Sequence, residues 1–220
     1  MMKEKDMKII NSTIENLKKN NMAAYYAQTK EEALNLVKEL IKKGDTVTHG
    51  GSVTLKECGV IDLLNNGDYN YLDRTKCKSR EEIEALYRKT YSADVYFSSS
   101  NAVTQSGELY NVDGNSNRVS AILYGPKSVV MLCGYNKIVK DIDEAVYRVK
   151  KIAAPKNTER LMCDTYCYYN KECLSLGKDA SYVCDGCRSE ERICCNYVIS
   201  AKQRHKDRIK VIIIGEQLGY

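Results

Sequence analysis

Thr46-Val47-Thr48-His49-Gly50-Gly51-Ser52-Val53-Thr54-Leu55-Lys56-Glu57-Cys58 joins two kinds of structure through a pair of glycines. Thr46–His49 reads as a short strand and residues 53–58 as a helix. Glycines at such a junction let the backbone turn sharply and approach a ligand closely, and amides exposed at the next helix start suit an anion. Ser52 and Thr54 add hydroxyl groups. The stretch matches neither G-x-G-x-x-G nor G-x-x-x-x-G-K-[ST], so it indicates neither a Rossmann dinucleotide site nor a P-loop. From these residues alone, a tight turn with Ser52 as helix cap explains the pattern equally well.

Working outward, residues 1–43 read as helix. Leu34, Val37, Leu40 and Ile41 recur at helical spacing, and Thr29-Lys30-Glu31-Glu32 has the form of a capping box. Gly44-Asp45 ends that helix. Strands are expected at 69–72, 93–97 and 128–132, and Ser79-Arg80-Glu81-Glu82 opens a helix reaching about Tyr91. Residues 107–112 and 118–123 flank Asp113-Gly114-Asn115, a hairpin-type turn signal. A helix over 141–153 is ended by Pro155, and 209–214 forms a last strand. Strands alternating with helices predict an α/β domain with a largely parallel sheet flanked by helices. That domain takes residues 1–155 and 201–220, with 156–200 as a Cys-rich metal-binding insert near the C-terminus.

The 220 residues carry 34 Lys+Arg and 29 Asp+Glu, a net charge of +5, with 43% apolar and 29% charged residues. This is the balance of a globular protein with a real core. The mild charge argues for neither nucleic acid nor membrane. Lys202-Gln203-Arg204-His205-Lys206-Asp207-Arg208, broken by its Asp, reads as a solvated connector. No apolar run nears the roughly 18 residues of a membrane span, and the charged first residues lack an apolar signal region, so a cytoplasmic location is expected.

A second polar stretch runs from Ser98-Ser99-Ser100-Asn101 through Gly107-Glu108 to Asn111-Val112-Asp113-Gly114-Asn115-Ser116-Asn117-Arg118. A polar loop after an apolar strand is where an open α/β sheet binds its ligand. Glu108 is the candidate base or nucleophile, Asp113 the alternate, and Arg118 an anion clamp. With only His49 and His205 in the chain, histidine chemistry has little room, and His49 reads as a buried strand-end residue. The competing explanation is turn chemistry, since Asp-Gly and Asn need no ligand to be placed there.

His49-Gly50-Gly51-Ser52-Val53-Thr54-Leu55, the run Ser100-Asn101-Ala102 through Gly114 with Asn117-Arg118, Tyr124-Gly125-Pro126-Lys127, and Gly134-Tyr135-Asn136-Lys137 together resemble the LUD domain family of lactate-utilization proteins, formerly a domain of unknown function. The resemblance implies a fold similar to ribose-phosphate isomerase, glucosamine-phosphate deaminase and CoA-transferase proteins. It makes Gly50, Gly51, Ser52 and Thr54 an anion turn. Asn101, Glu108, Asn111, Asp113, Asn117 and Arg118 then form the opposite wall of a shared pocket.

Ten cysteines are unusual for this length, and seven fall between Cys163 and Cys195. In a reducing compartment clustered Cys point to a metal. Cys184-Asp185-Gly186-Cys187 offers two thiolates from one turn, half of a tetrahedral site, and Arg188 and Arg192 favour the thiolate form. The resemblance implies Cys167, Cys184, Cys187 and Cys194 as ligands, with Cys163 and Cys173 as alternatives for the first of them. Zinc ribbons usually carry two C-x-x-C pairs, where this segment has one, and all-Cys ligation with irregular spacing also fits a [4Fe–4S] cluster; the redox setting of the family it resembles implies the cluster over zinc.

Two functions follow. The first is a metabolic enzyme or enzyme component acting on a small anionic metabolite, of the hydroxy acid, sugar phosphate or CoA ester class, with a Cys-ligated metal centre. The second is a binding module without turnover that senses a metabolite or transfers electrons, its Cys segment docking a redox protein or joining a homodimer.

Overall fold

Val129, Met131 and Cys133 point to one side of their strand while Val130 and Leu132 point to the other, and all five are fully buried. Only a strand covered on both faces buries such an uninterrupted run. The computed structural model describes residues 4–176 and 185–220 and carries this pattern through a six-stranded parallel sheet.

In chain order the first half comprises α1 (Glu4–Lys19), β1 (Ala23–Ala27), α2 (Lys30–Leu40), β2 (Thr46–His49), α3 (Val53–Glu57), α4 (Val60–Asn66), β3 (Asn70–Tyr71), α5 (Arg80–Thr90) and β4 (Val95–Ser98). Then come β5 (Ala102–Thr104), β6 (Leu109–Asp113), α6 (Asn117–Leu123), β7 (Ser128–Gly134), β8 (Ile138–Val139), α7 (Ile142–Arg148), α8 (Ala154–Leu161), α9 (Tyr166–Asn170), β9 (Asn196–Ser200) and β10 (Ile209–Ile214). The large sheet has the order β1-β10-β7-β4-β2-β3. Ile10, Ile14 and Leu17 of α1 and Ala121 and Ile122 of α6 cover one face; Ala33 and Val37 of α2, Leu55 of α3, and Val60 and Leu64 of α4 cover the other. The α/β architecture with a largely parallel sheet flanked by helices is therefore the observed one.

Several expectations are corrected. The single helix over 1–43 is interrupted by β1, which pairs with β10 from Ala23↔Lys210 to Ala27↔Ile214. Ala23-Ala24-Tyr25-Tyr26-Ala27 has no strand alternation of its own, and the open edge of β10 imposes the conformation. The expected hairpin across Asp113-Gly114-Asn115 does not form, because its second half is helix α6. One carboxylate oxygen of Asp113 accepts the N–H groups of Arg118 and Val119, both at 3.1 Å, and so fastens the helix start. Strand β6 pairs antiparallel with β5 and β9 instead, in a small sheet of order β8-β5-β6-β9.

Pro155 does not end the helix before it. A π-helical turn, Val149–Ala153, follows α7 and runs directly into α8, with Pro155 in its first turn; the Lys150 carbonyl in the turn before it accepts from Cys173 N–H at 3.1 Å. The Cys-rich stretch is not detached from the α/β domain. Its last residues are β9, whose partners run from Leu109↔Ser200 to Asp113↔Asn196.

Strand β10 lies between β1 and β7 in the large sheet, and Ile213 is fully buried there. The substitution Ile213→Ala is expected to cost about 2–5 kcal/mol of folding stability, the range for truncating a buried Ile. Urea denaturation measures it; a loss below about 1 kcal/mol would remove Ile213 from the core this sheet is said to form.

Candidate functional site

The carboxyl ends of β2, β4, β7 and β10 release four chain segments on the same side of the sheet: Gly50 to Thr54, Ser99 to Asn101, Tyr135 to Lys137, and Gly215 to Gly219. Residues from all four line one cavity of about 300 Å³. The remaining wall comes from Asp113 to Arg118, from Arg74 after β3, and from the π-helical turn and α8 through Val149, Asn157 and Arg160. A cavity beyond the strand ends of an open α/β sheet is the expected ligand position.

The glycine turn and the polar loop thus share one cavity, although not every expected residue reaches it. Gly51, Ser52, Thr54, Asn101, Asp113, Asn117 and Arg118 line it; Gly50, Glu108 and Asn111 do not. Gly50 lies behind the wall, where a Cβ would stand 2.6 Å from the Tyr96 hydroxyl and 2.9 Å from Cγ of Arg118. Its glycine character makes room for the arginine stem. Glu108 sits at the β5–β6 turn, its carboxylate held by the hydroxyls of Thr104 and Ser106. Those bonds satisfy it locally, away from the cavity. Asn111 is fully buried and its Oδ1 accepts from Arg118 at 2.7 Å.

Arg118 is a tie more than a clamp. Its terminal nitrogens donate to Ser99 O (3.2 Å), Asn111 Oδ1 (2.7 Å), Asn101 Oδ1 (2.9 Å) and Val112 O (2.8 Å). Its Nε stands 3.8 Å from Asp113 Oδ2. With the fork committed to protein acceptors, Arg118 gives the cavity charge but little directional bonding. Asn101 Oδ1 also accepts from Val112 N–H at 2.9 Å, so it braces the same loop. Ser52 caps α3 by accepting from Leu55 N–H at 3.3 Å, and Asn117 Oδ1 accepts from Asn115 at 3.3 Å.

The principal residue not singled out from sequence is Lys137. Its side chain is 3% exposed, and Nζ donates to Thr54 Oγ1 and Ser99 Oγ, each at 2.9 Å. No carboxylate of the described residues pairs with it. Burial pushes its pKa down to about 8, helped by Arg148 and Arg118 and opposed by Cys133 and Glu57. The sequence signal was a lysine three residues beyond a buried strand, inside the quoted Gly134-Tyr135-Asn136-Lys137. Arg74 lies across the cavity, its guanidinium 3.1 Å from the Cβ position of Gly51 and without a hydrogen bond or ion pair to the other described residues. Arg160 shares Asn157 and the Tyr220 hydroxyl. Among the described residues, four cationic side chains and one side-chain carboxylate therefore face the cavity.

His49 ends β2 outside the cavity, its ring nitrogens against Gly50 O (2.8 Å) and the Tyr71 hydroxyl (2.7 Å), and burial lowers its pKa. A second, much smaller cavity of about 20 Å³ is lined by Cys167, Cys173, Cys187 and Cys194, with Arg192 and Tyr197. Cys184 lies outside the described residues. Among the described residues no three Cys, His, Asp or Glu side chains stand close enough to hold a metal ion. The Cys194 thiol is raised by burial, which outweighs the Nε of Arg192 at 3.3 Å from its sulfur. Cys194 lines both cavities.

The depressed pKa of Lys137 has a stability consequence with a definite sign. Between about 8 and the ordinary lysine value of about 10.4 the unfolded chain holds a proton the folded chain has lost, so folding stability rises with pH across that window. The Lys137→Met variant is expected to lose this rise. Chemical denaturation at several alkaline pH values reads it, and parallel pH dependences of the two proteins would contradict the buried, unpaired lysine.

The sequence profile of the LUD domain matches residues 10–214. A DUF162 family protein from Deinococcus radiodurans is similar in structure, with a TM-score of 0.51 and 12% identity over 95% of this chain and 98% of that chain. Part of eIF2B beta from Chaetomium thermophilum also aligns, with a TM-score of 0.37 and 17% identity over 53% of this chain and 45% of that chain. No curated protein matches. No helix of the described residues is long and apolar enough to cross a membrane.

Proposed function

The chain belongs to the LUD domain family, and on that premise we propose that it is a metabolic enzyme or enzyme component whose basic cavity binds a small metabolite through a carboxylate or phosphate. The observation that carries this reading is a deeply buried ammonium, Lys137, facing the same cavity as the guanidinium of Arg74, with no carboxylate of the described residues paired to either. Taking charges out of water without a counter-charge is costly, and an anionic ligand supplies the missing partner. The hydroxyl of Thr54 supplies further polar contact, while Val149, Ala153 and Leu161 give the ligand an apolar side. Asp113 is the carboxylate at hand for proton transfer, in place of Glu108. The fold relation to isomerases and CoA-transferases belongs to this reading too, as does a cytoplasmic location.

Titration with inorganic phosphate, oxalate and a sugar phosphate, followed by melting temperature, tests it, because a ligand that binds only the native state raises stability. The Arg74→Ala variant should bind the preferred anion roughly tenfold or more weakly, the worth of one charge-assisted hydrogen bond. Absence of any anion-dependent shift in the wild-type protein would refute the cavity as an anion site.

The cysteine segment carries a separate proposal. Cys167, Cys187 and Cys194 would hold a metal with Cys184, and Cys173 faces the same small cavity as an alternative ligand. The donor set, thiols alone, suits either a [4Fe–4S] cluster or zinc. A cluster would accept and pass single electrons, which favours a redox protein as partner, whereas zinc would cross-link the segment. Metal analysis and visible absorbance of protein purified without oxygen decide between them: iron with a broad absorbance is expected, and a metal-free chain with unchanged stability would remove the centre.

A further inference from the structure

We propose that Lys137 is an amine nucleophile that condenses with the carbonyl carbon of a small anionic carbonyl compound held in the basic cavity. The inference rests on the anion-binding reading above and deepens it by naming the substrate's reacting group. Three features of the surroundings support it. The Nζ of Lys137 is bonded to two hydroxyls, Thr54 and Ser99, which can accept from an ammonium or donate to an amine. It lies at the wall of a ligand-sized cavity rather than in packed core. The charged and titratable groups around it are Arg118 and Arg148, which disfavour its protonation, and Glu57 and Cys133, which favour it. Glu57 is itself engaged, accepting the N–H of Gly219 at 2.7 Å. Desolvation beside other cations is the established way to turn a lysine into a nucleophile near neutral pH.

The step balances without an external oxidant or reductant. The amine lone pair forms a C–N bond to the carbonyl carbon, and the oxygen takes a proton to give a carbinolamine. Loss of water, carrying both amine protons with that oxygen, leaves an imine. Addition of water reverses the sequence. Arg74 and Arg160 line the same cavity and would hold the carboxylate or phosphate of the same molecule.

Borohydride trapping tests this on the full chain, with pyruvate as the carboxylate-bearing probe and dihydroxyacetone phosphate as the phosphate-bearing one. The expected result is one reduced adduct per chain, mapped by peptide mass to Lys137, absent in Lys137→Met, and rising in yield from about pH 7 to about pH 9 as the amine fraction grows. Adduct with a single probe identifies the anionic group the cavity prefers; adduct with both supports the amine and shows no preference. An adduct confined to other lysines, or undiminished in the variant, overturns the inference. Anion-dependent stabilisation without trapping overturns the nucleophile and leaves the anion site standing, whereas loss of both overturns the two together.

Discussion

The guanidinium of Arg118 is the tie on which the arrangement depends. It enters the molecule beside Gly50, in space a methyl group would close, and binds acceptors on the loop after β4 (Ser99 and Asn101) and on β6 (Asn111 and Val112). Those segments belong to two different sheets. A lysine could not replace it, because a single ammonium cannot reach four acceptors spread across a planar fork. The same side chain explains why α6 starts where it does: with Arg118 drawn inward, Asp113 turns back onto the amides of Arg118 and Val119. Fold and cavity wall are thus fixed by one set of bonds.

Lys137 stands in the opposite condition. The fork of Arg118 is filled by protein acceptors, while Lys137 has two hydroxyls and no carboxylate among the described residues. A buried cation held only by neutral groups is unfavourable unless something outside the chain compensates or the proton leaves. Both resolutions are chemical capabilities. The cavity lining therefore combines a braced part, where polar side chains satisfy one another, with the cations Lys137 and Arg74, which no carboxylate of the described residues neutralises.

Much of this was legible from the residues. The apolar runs of β7 and β10, the strand-turn-helix at Thr46 to Glu57 and the caps at Thr29 and Ser79 follow from local patterning, and each appears where it was read. Local patterning failed where a distant partner decides the outcome. Strand β1 exists because β10 offers it an edge, and the Asp-Gly turn yields to a helix because Arg118 is buried by residues from three other segments. The site was legible as two loops meeting, and that meeting occurs. Which side chains face inward was not, since Glu108 precedes β6 and Asp113 ends it, and only the course of that strand takes Asp113 to the cavity and leaves Glu108 at the opposite end. Lys137 could not be ranked above the chain's other lysines without knowing that it is buried.

The cysteine segment changes meaning once its packing is known. As sequence it is an insert with its own chemistry; as structure it is part of the cavity wall. The backbone of Ile193 lies 3.1 Å from the position a Gly114 Cβ would take, and Cys195 N–H donates to Asp113 O at 3.1 Å. Cys194, Val149 and Ala154 each face both the basic cavity and the thiol-lined one. The two cavities therefore share these three residues as a common wall, and the Cys195 bond ties that wall to the backbone of Asp113.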